Sequence, residues 1–396
     1  MNIKALHNFK VIRNVLGAGL FVLAPSVGMA VDLSNMPLVT STATSVRPNM
    51  VFVLDDSGSM ASDYMPDHVA GEALCNTSAG KNKTACVRMD PPYYSAGFNG
   101  IYYNPLFVYR PPVNADGTLR PDQVRISGGS KFWDQVQTDP YLNPASTFDL
   151  NTFADQYYCI SDNYNPTDTA TMEDTAKCRR NGKAYGAVTA GYNYPNATYK
   201  FRKKNGGGTY LKTTNSAPYY YTLASMTWCK LSDGTNCVTR KDSTYKYAGY
   251  GVFSRFDITL AACTPNCPSG RSYADEMTNF ANWYAYYSTR LEMMKTGSGR
   301  AFVGLDDSYR VGFMTISTTP GNTSRYIPIQ TFTPAQKTTW FNKLYSTSTV
   351  GGTPLRPALS TAGQMYAGKA LTDPVQYSCQ KNFTILSTDG DRKSVV

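Results

Sequence analysis

The chain has 396 residues, enough for two or three ordinary domains and a sizeable core. With 13% aromatic and only 17% charged residues it does not have the composition of a disordered polymer. The formal net charge is +10, but Lys4, Lys10 and Arg13 precede every acidic residue, so the rest of the chain is less basic than the total suggests.

The first thirty residues read as a secretory signal. A basic start is followed by an apolar stretch at 15–27, and Gly28-Met29-Ala30 offers small residues for cleavage after Ala30. The apolar stretch is well short of the roughly 20 residues a membrane span needs. No later segment is apolar enough to cross a membrane as a helix, so none is expected after signal cleavage. Residues 31–47 form a polar leader.

Met50 to Leu54 is a continuous apolar run, as expected of a strand buried on both faces of a parallel sheet. From 61 to about 270 the regular pattern dissolves into Tyr, Asn, Gly, Pro and Cys. This stretch reads as one large insertion of short strands and loops. Its basic clusters at 177–183 and 200–204, beside "NGGG", read as solvated loop tips, and export also argues against nucleic acid as a partner.

Eight of the nine cysteines fall there in close sequential pairs: Cys75 and Cys86, Cys159 and Cys178, Cys229 and Cys237, Cys263 and Cys267. In an exported chain they are disulfide candidates. Local pairing is the simplest scheme, although spacing alone leaves the connectivity open. A zinc site fits poorly, because the Cys263/Cys267 pair has no second ligand pair nearby and histidine is nearly absent. Cys379 is left over, either free or without its partner.

Regularity returns at Ser272, a helix cap followed by Asp275 and Glu276. Phe280, Trp283, Tyr284, Tyr287, Leu291 and Met294 then recur at helical spacing. They predict one helix packed on a sheet, with Gly297 as its stop. Tyr309 to Ile316 and Tyr326 to Ile329 read as strands, the second at an edge because of Pro328. Helices are predicted over 334–345 and 355–366, and a last short strand over 383–386. Strands alternating with helices imply a doubly wound α/β sheet, in which ligands sit beyond the carboxyl ends of the strands.

Three short motifs fall at such positions. "DDSGS" follows the first strand and carries Asp55, Ser57 and Ser59. "VGGTPL" supplies Thr353, and "STDG" supplies Asp389 after the last strand. These are hard oxygen donors. They suit a divalent cation, Mg2+ ahead of Mn2+ or Ca2+, rather than zinc. Enzymatic roles are disfavoured. After signal cleavage only His68 remains for acid–base work, and the serines have no adjacent base.

In order and residue type the three loops resemble the metal-ion-dependent adhesion site of von Willebrand factor A domains. The resemblance implies that Ser57, Ser59 and Thr353 bind the cation directly, and that Asp55 and Asp389 bind it directly or through water. A vacant coordination position would accept an acidic oxygen from a partner.

The segments "RPNMVFVLDDSGSM", "YYNPLFVYRPPVNADGT" and "MTNFANWYAYYSTRLEMMK" are similar to the type IV pilus PilC/PilY family. That similarity implies an exported factor at the pilus tip or outer surface, with a role in pilus biogenesis and cation-dependent adhesion. Its expected partners are pilus components or a host or surface ligand with an acidic group. Residues 48–60 and 271–390 would form an incomplete von Willebrand factor A domain around the insertion at 61–270. Alternatives are a structural module of pilus assembly with a vestigial metal site, or another secreted adhesin of this domain type. Family members continue past the Thr-Asp-Gly loop, whereas here "DRKSVV" follows. That string matches a translated sequencing adapter, so residues 391–396 are expected not to be native. A sheet ending there would leave its last strand with an unpaired edge.

Overall fold

The computed structural model describes residues 46–65, 94–160, 211–231, 236–245 and 247–389, with isolated strand segments between 185 and 209. The signal at 1–30, the leader up to 45, His68, Cys75, Cys86, Cys178, the basic cluster at 177–183 and the tail at 391–396 lie outside the described residues.

The apolar run folds as β1 (Asn49–Leu54). Successive side chains of a strand point to opposite faces, and here each face finds an apolar layer. Phe52 and Leu54 pack with Phe302, Phe313, Trp340, Phe341 and Leu344. Val51 and Val53 pack with Met314, Ile316, Ile329, Ala358, Ala362 and Met365. Burial on both sides is why the run shows no polar alternation. The Phe52 ring lies 5.3 Å from Phe302 and 5.9 Å from Trp340, and those two stack at 4.5 Å. Such aromatic pairs contribute about 0.5–1.5 kcal/mol each beyond area burial.

After β1 and the loop-rich stretch come α1 (Tyr273–Tyr286), α2 (Arg290–Phe302), β2 (Arg310–Thr315), β3 (Ile327–Thr331), α3 (Pro334–Ser346), α4 (Leu355–Tyr366) and β4 (Asn382–Ser387). The sheet order is β3-β2-β1-β4. β1 runs parallel to both β2 and β4, and β3 pairs antiparallel with β2 at the edge, as Pro328 suggested. The protein is thus a mixed α/β fold with a parallel centre. β4 forms the other edge, with Phe383 47% and Ile385 40% exposed.

Gly312 is required where β3 crosses close to β2, beside a register shift. A Cβ there would sit 2.6 Å from the Ile329 side chain and 2.8 Å from the Ile327 carbonyl.

The single helix expected from Ser272 to Gly297 is instead two. Ser272 caps α1 as expected, its hydroxyl accepting from the Asp275 amide. The chain then breaks at 287–289, and Thr289 starts α2 with a capping box closed by Glu292. Those reciprocal bonds satisfy amides that a continuous helix would have paired internally. α2 passes through Gly297 and ends at Phe302.

The aromatic stripe of α1 also packs elsewhere than expected. Its Phe280, Trp283, Tyr284 and Tyr287 join an aromatic core built from the preceding segment, with Tyr102, Tyr103, Trp133, Tyr219 and Phe253. Leu291 and Met294 on α2, by contrast, pack with Phe52 and Leu54 of the sheet as expected. Polar side chains of α1 hold the preceding segment's backbone. Asn279 Oδ1 accepts from the Tyr109 amide at 2.7 Å, while its Nδ2 donates to the Phe107 carbonyl at 2.8 Å. Asn282 Oδ1 accepts from the Gln123 amide, and Trp283 Nε1 donates to the Ile101 carbonyl. The Tyr/Pro-rich segment and the "NFANWYAYY" helix therefore share one core.

The region expected to hold only short strands includes a long hairpin, Tyr219–Cys229 against Tyr247–Asp257. Disulfides close Cys229–Cys237 and Cys263–Cys267, both local as the spacing suggested. Cys159 lies in a strand described by its backbone alone, and Cys379 is exposed and free. Among the described residues no helix is long and apolar enough to cross a membrane.

Candidate cation site

The register of β1 and β4 builds the site. Leu54 lies opposite Ser387, so the two chains leave the sheet side by side. The Asp55 amide donates to the Ser387 carbonyl at 3.0 Å, extending the ladder by one step. Asp55 is fully buried, with both carboxylate oxygens occupied. Oδ1 accepts from the Ser57 amide at 2.8 Å and Oδ2 from the Thr388 hydroxyl at 2.6 Å. The carboxylate therefore pins its own loop to the loop after β4.

Ser57 is buried, Ser59 is half-buried in the short helical turn Gly58–Ala61, and their hydroxyls lie 3.0 Å apart. Gly58 then meets the second loop, its amide donating to the Gly351 carbonyl at 3.1 Å. Gly351 has φ +54°, in the left-handed region that glycine enters at little cost. The Val350 amide donates to the Asp56 carbonyl, so two backbone bonds dock this loop on the first. Thr353 stands two residues beyond the Gly351 contact, half-buried, ahead of α4.

Asp389 follows Thr388 directly. Its Oδ2 accepts from Arg290 Nη1 at 2.6 Å, and both side chains are almost wholly buried. Its Oδ1 is buried with no hydrogen-bond partner among the described residues. A bare carboxylate oxygen out of contact with water is costly unless a proton donor or cation reaches it.

The structure thus brings Asp55, Ser57, Ser59 and the Thr388–Asp389 loop together, and it docks the Thr353 loop on them through backbone bonds. The donor set is two carboxylates plus hydroxyls. Among the described residues no cluster of three or more His, Cys, Asp and Glu could hold a metal. Any ion here would rest on hard oxygens, which suits Mg2+, Mn2+ or Ca2+, and the orphaned Asp389 Oδ1 fits such a group.

Three functional neighbours carried no local sequence signal. Thr388 holds Asp55, and Arg290 holds Asp389 from α2. Asp56 turns away from the serines and is fully engaged. Arg325 lies 2.9 Å from its Oδ2, and the Ser317 hydroxyl donates to its Oδ1 at 2.8 Å. The fold uses it to tie the loop after β2 to the loop after β1.

Among curated proteins, the type IV pilus biogenesis factor PilY1 of Pseudomonas aeruginosa strain UCBPP-PA14 is 27% identical over 396 residues, covering 96% of this chain and 26% of the relative. The protein of the same name from strain PAK is 26% identical over 391 residues, covering 94% of this chain and 26% of the relative. The chain spans about a quarter of the length of the curated relatives it matches. These relatives show the resemblance to the PilC/PilY family read from the sequence segments. No family model matches the chain, and no solved structure matches it.

Proposed function

We propose that this chain is a region of an exported, pilus-associated protein with a role in pilus biogenesis. On this reading its α/β part is a von Willebrand factor A-type domain that binds partners through a divalent cation. The observation that carries the reading is the meeting of three loops at the carboxyl ends of β1 and β4, with one buried carboxylate oxygen of Asp389 left for an ion. The relatives' names support the pilus assignment.

In this reading Ser57, Ser59, Thr353 and Asp389 hold the ion, with Mg2+ the expected occupant. Asp55 acts mainly by fixing the serine loop against Thr388. When bound, the cation supplies an electrophilic point that an acidic group on a pilus component, host or surface ligand could complete. Binding rather than catalysis is the role, since the contact of the Ser57 hydroxyl is Ser59 and not a base.

Ser59→Ala and Thr353→Ala test the reading in the intact protein, because both side chains are half-buried and their loss should spare the fold. Calorimetry should show Mn2+ and Mg2+ binding weakened about tenfold or more, at least the cost of removing a group that only supports a metal site. Surface adhesion should fall in parallel. Undiminished binding in both variants would refute the site.

A second reading keeps the pilus role without the ion. The Arg290–Asp389 pair favours it, because one oxygen of the key carboxylate is already matched by a fixed positive charge. Wild-type protein that binds no cation would select it.

A further inference from the structure

Arg290 is the first residue of α2, and its side chain is only 2% exposed. Its guanidinium is held on several sides. Nη1 donates to Asp389 Oδ2 at 2.6 Å, Nε donates to the Tyr64 carbonyl at 2.8 Å, and the group lies 5.1 Å from the centre of the Tyr64 ring. The Arg290 amide donates to the Ser62 carbonyl, which fixes the backbone as well. This cation is therefore not free to swing away. It leaves Asp389 with one oxygen paired and Oδ1 buried and bare among the described residues.

We propose that Arg290 is a built-in counter-charge that holds down the site's own affinity for a divalent cation and makes retention of that cation depend on an acidic group from the partner. The proposal rests on the cation-site reading given above. The charge count here takes the site's own carboxylates and their described partners. Asp55 and Asp389 bring two negative charges, Arg290 returns one positive charge, and Asp56 is already matched by Arg325. A divalent ion would leave the site with a net positive charge, and one carboxylate from a partner would cancel it. Cation and acidic ligand must then strengthen each other's binding by the same factor, since such coupling is reciprocal. Arg290 is a positioning residue, aiming Asp389 and setting the field without touching the ion.

Calorimetry with Mn2+ on the intact protein tests this, using wild type, Arg290→Lys, Arg290→Gln, Ser59→Ala and Thr353→Ala, each with and without excess acetate as a simple carboxylate probe. Arg290→Gln should bind Mn2+ about tenfold tighter or more, because a like charge within a few ångströms of the site has been removed. Arg290→Lys, which keeps the charge, should stay near wild type. Acetate should tighten Mn2+ binding in the wild type more than in Arg290→Gln. A merely structural ion pair would give the opposite pattern, with Arg290→Gln binding no better than wild type, and that result overturns the proposal. Should Arg290→Gln fail to fold, the wild type decides alone: Mn2+ affinity indifferent to acetate overturns it. Mn2+ binding at the wild-type level in both Ser59→Ala and Thr353→Ala would instead sink the cation-site reading, and this proposal with it.

Discussion

Replacing Asp55 removes a structural acceptor and a member of the candidate site at once, and the two roles separate by assay. The side chain is fully buried and accepts two hydrogen bonds, from the Ser57 amide at 2.8 Å and from the Thr388 hydroxyl at 2.6 Å. Hydrogen bonds to a charged group contribute about 1.5–3 kcal/mol each, so Asp55→Ala should cost about 3–6 kcal/mol with chelator present. Asp55→Asn keeps an acceptor for the Ser57 amide, and the Thr388 hydroxyl can rotate to accept from the new amide. Two charge-assisted bonds then become two neutral ones, at a cost of about 1–3 kcal/mol. Urea unfolding of the intact protein in EDTA measures both variants. Asp55→Ala within about 0.5 kcal/mol of wild type, the range of an ordinary surface change, would refute the reasoning. So would Asp55→Asn being as damaging as Asp55→Ala, because the deficit would then come from charge alone and not from the stranded donors.

Gly299 on α2 faces α3 so closely that a Cβ would collide with the Tyr345 hydroxyl, itself bonded to the Val113 carbonyl at 2.6 Å. Gly299→Ala should therefore lower the melting temperature, an overpacking cost of about 1–3 kcal/mol outweighing the helix-propensity gain of up to about 1; a stabilised variant would contradict the packing. Burial lifts the Glu292 carboxyl from 4.5 to about 7, so the folded state holds its proton longer than the unfolded chain. Its contribution to stability is full below about pH 4.5 and is lost as pH rises toward 7, and Glu292→Gln should flatten that slope in pH-dependent unfolding while keeping the capping box. Cys379 should be alkylated in the native protein, and a non-reducing peptide map should recover the Cys229–Cys237 and Cys263–Cys267 pairs.

Much of the fold was legible wherever a stretch carried its own local rule. The apolar run at β1 and the helices read over 334–345 and 355–366 match the observed elements to within a residue or two. The helix over 272–297 misled because its aromatic spacing runs unbroken across Tyr287 and Leu291, so periodicity hid a break that the Thr289–Glu292 capping box encodes. Where α1 packs was not legible either, since an apolar stripe does not say which surface will cover it. The three loops of the candidate site stood out because hard oxygen donors on tight turns form a pattern local to the sequence. Arg290 and Thr388 did not, since a side chain that holds a ligand obeys no spacing rule and meets it only through the fold.

The most direct test of the site is to locate the ion itself. Crystals of the intact protein soaked in Mn2+ should give an anomalous peak within bonding distance of the Ser57 and Ser59 hydroxyls and of Asp389 Oδ1, the bare buried oxygen. Density at that point in the absence of Mn2+ should match Mg2+ or water. No peak there at saturating Mn2+, with Asp389 Oδ1 still unpartnered, would contradict the account.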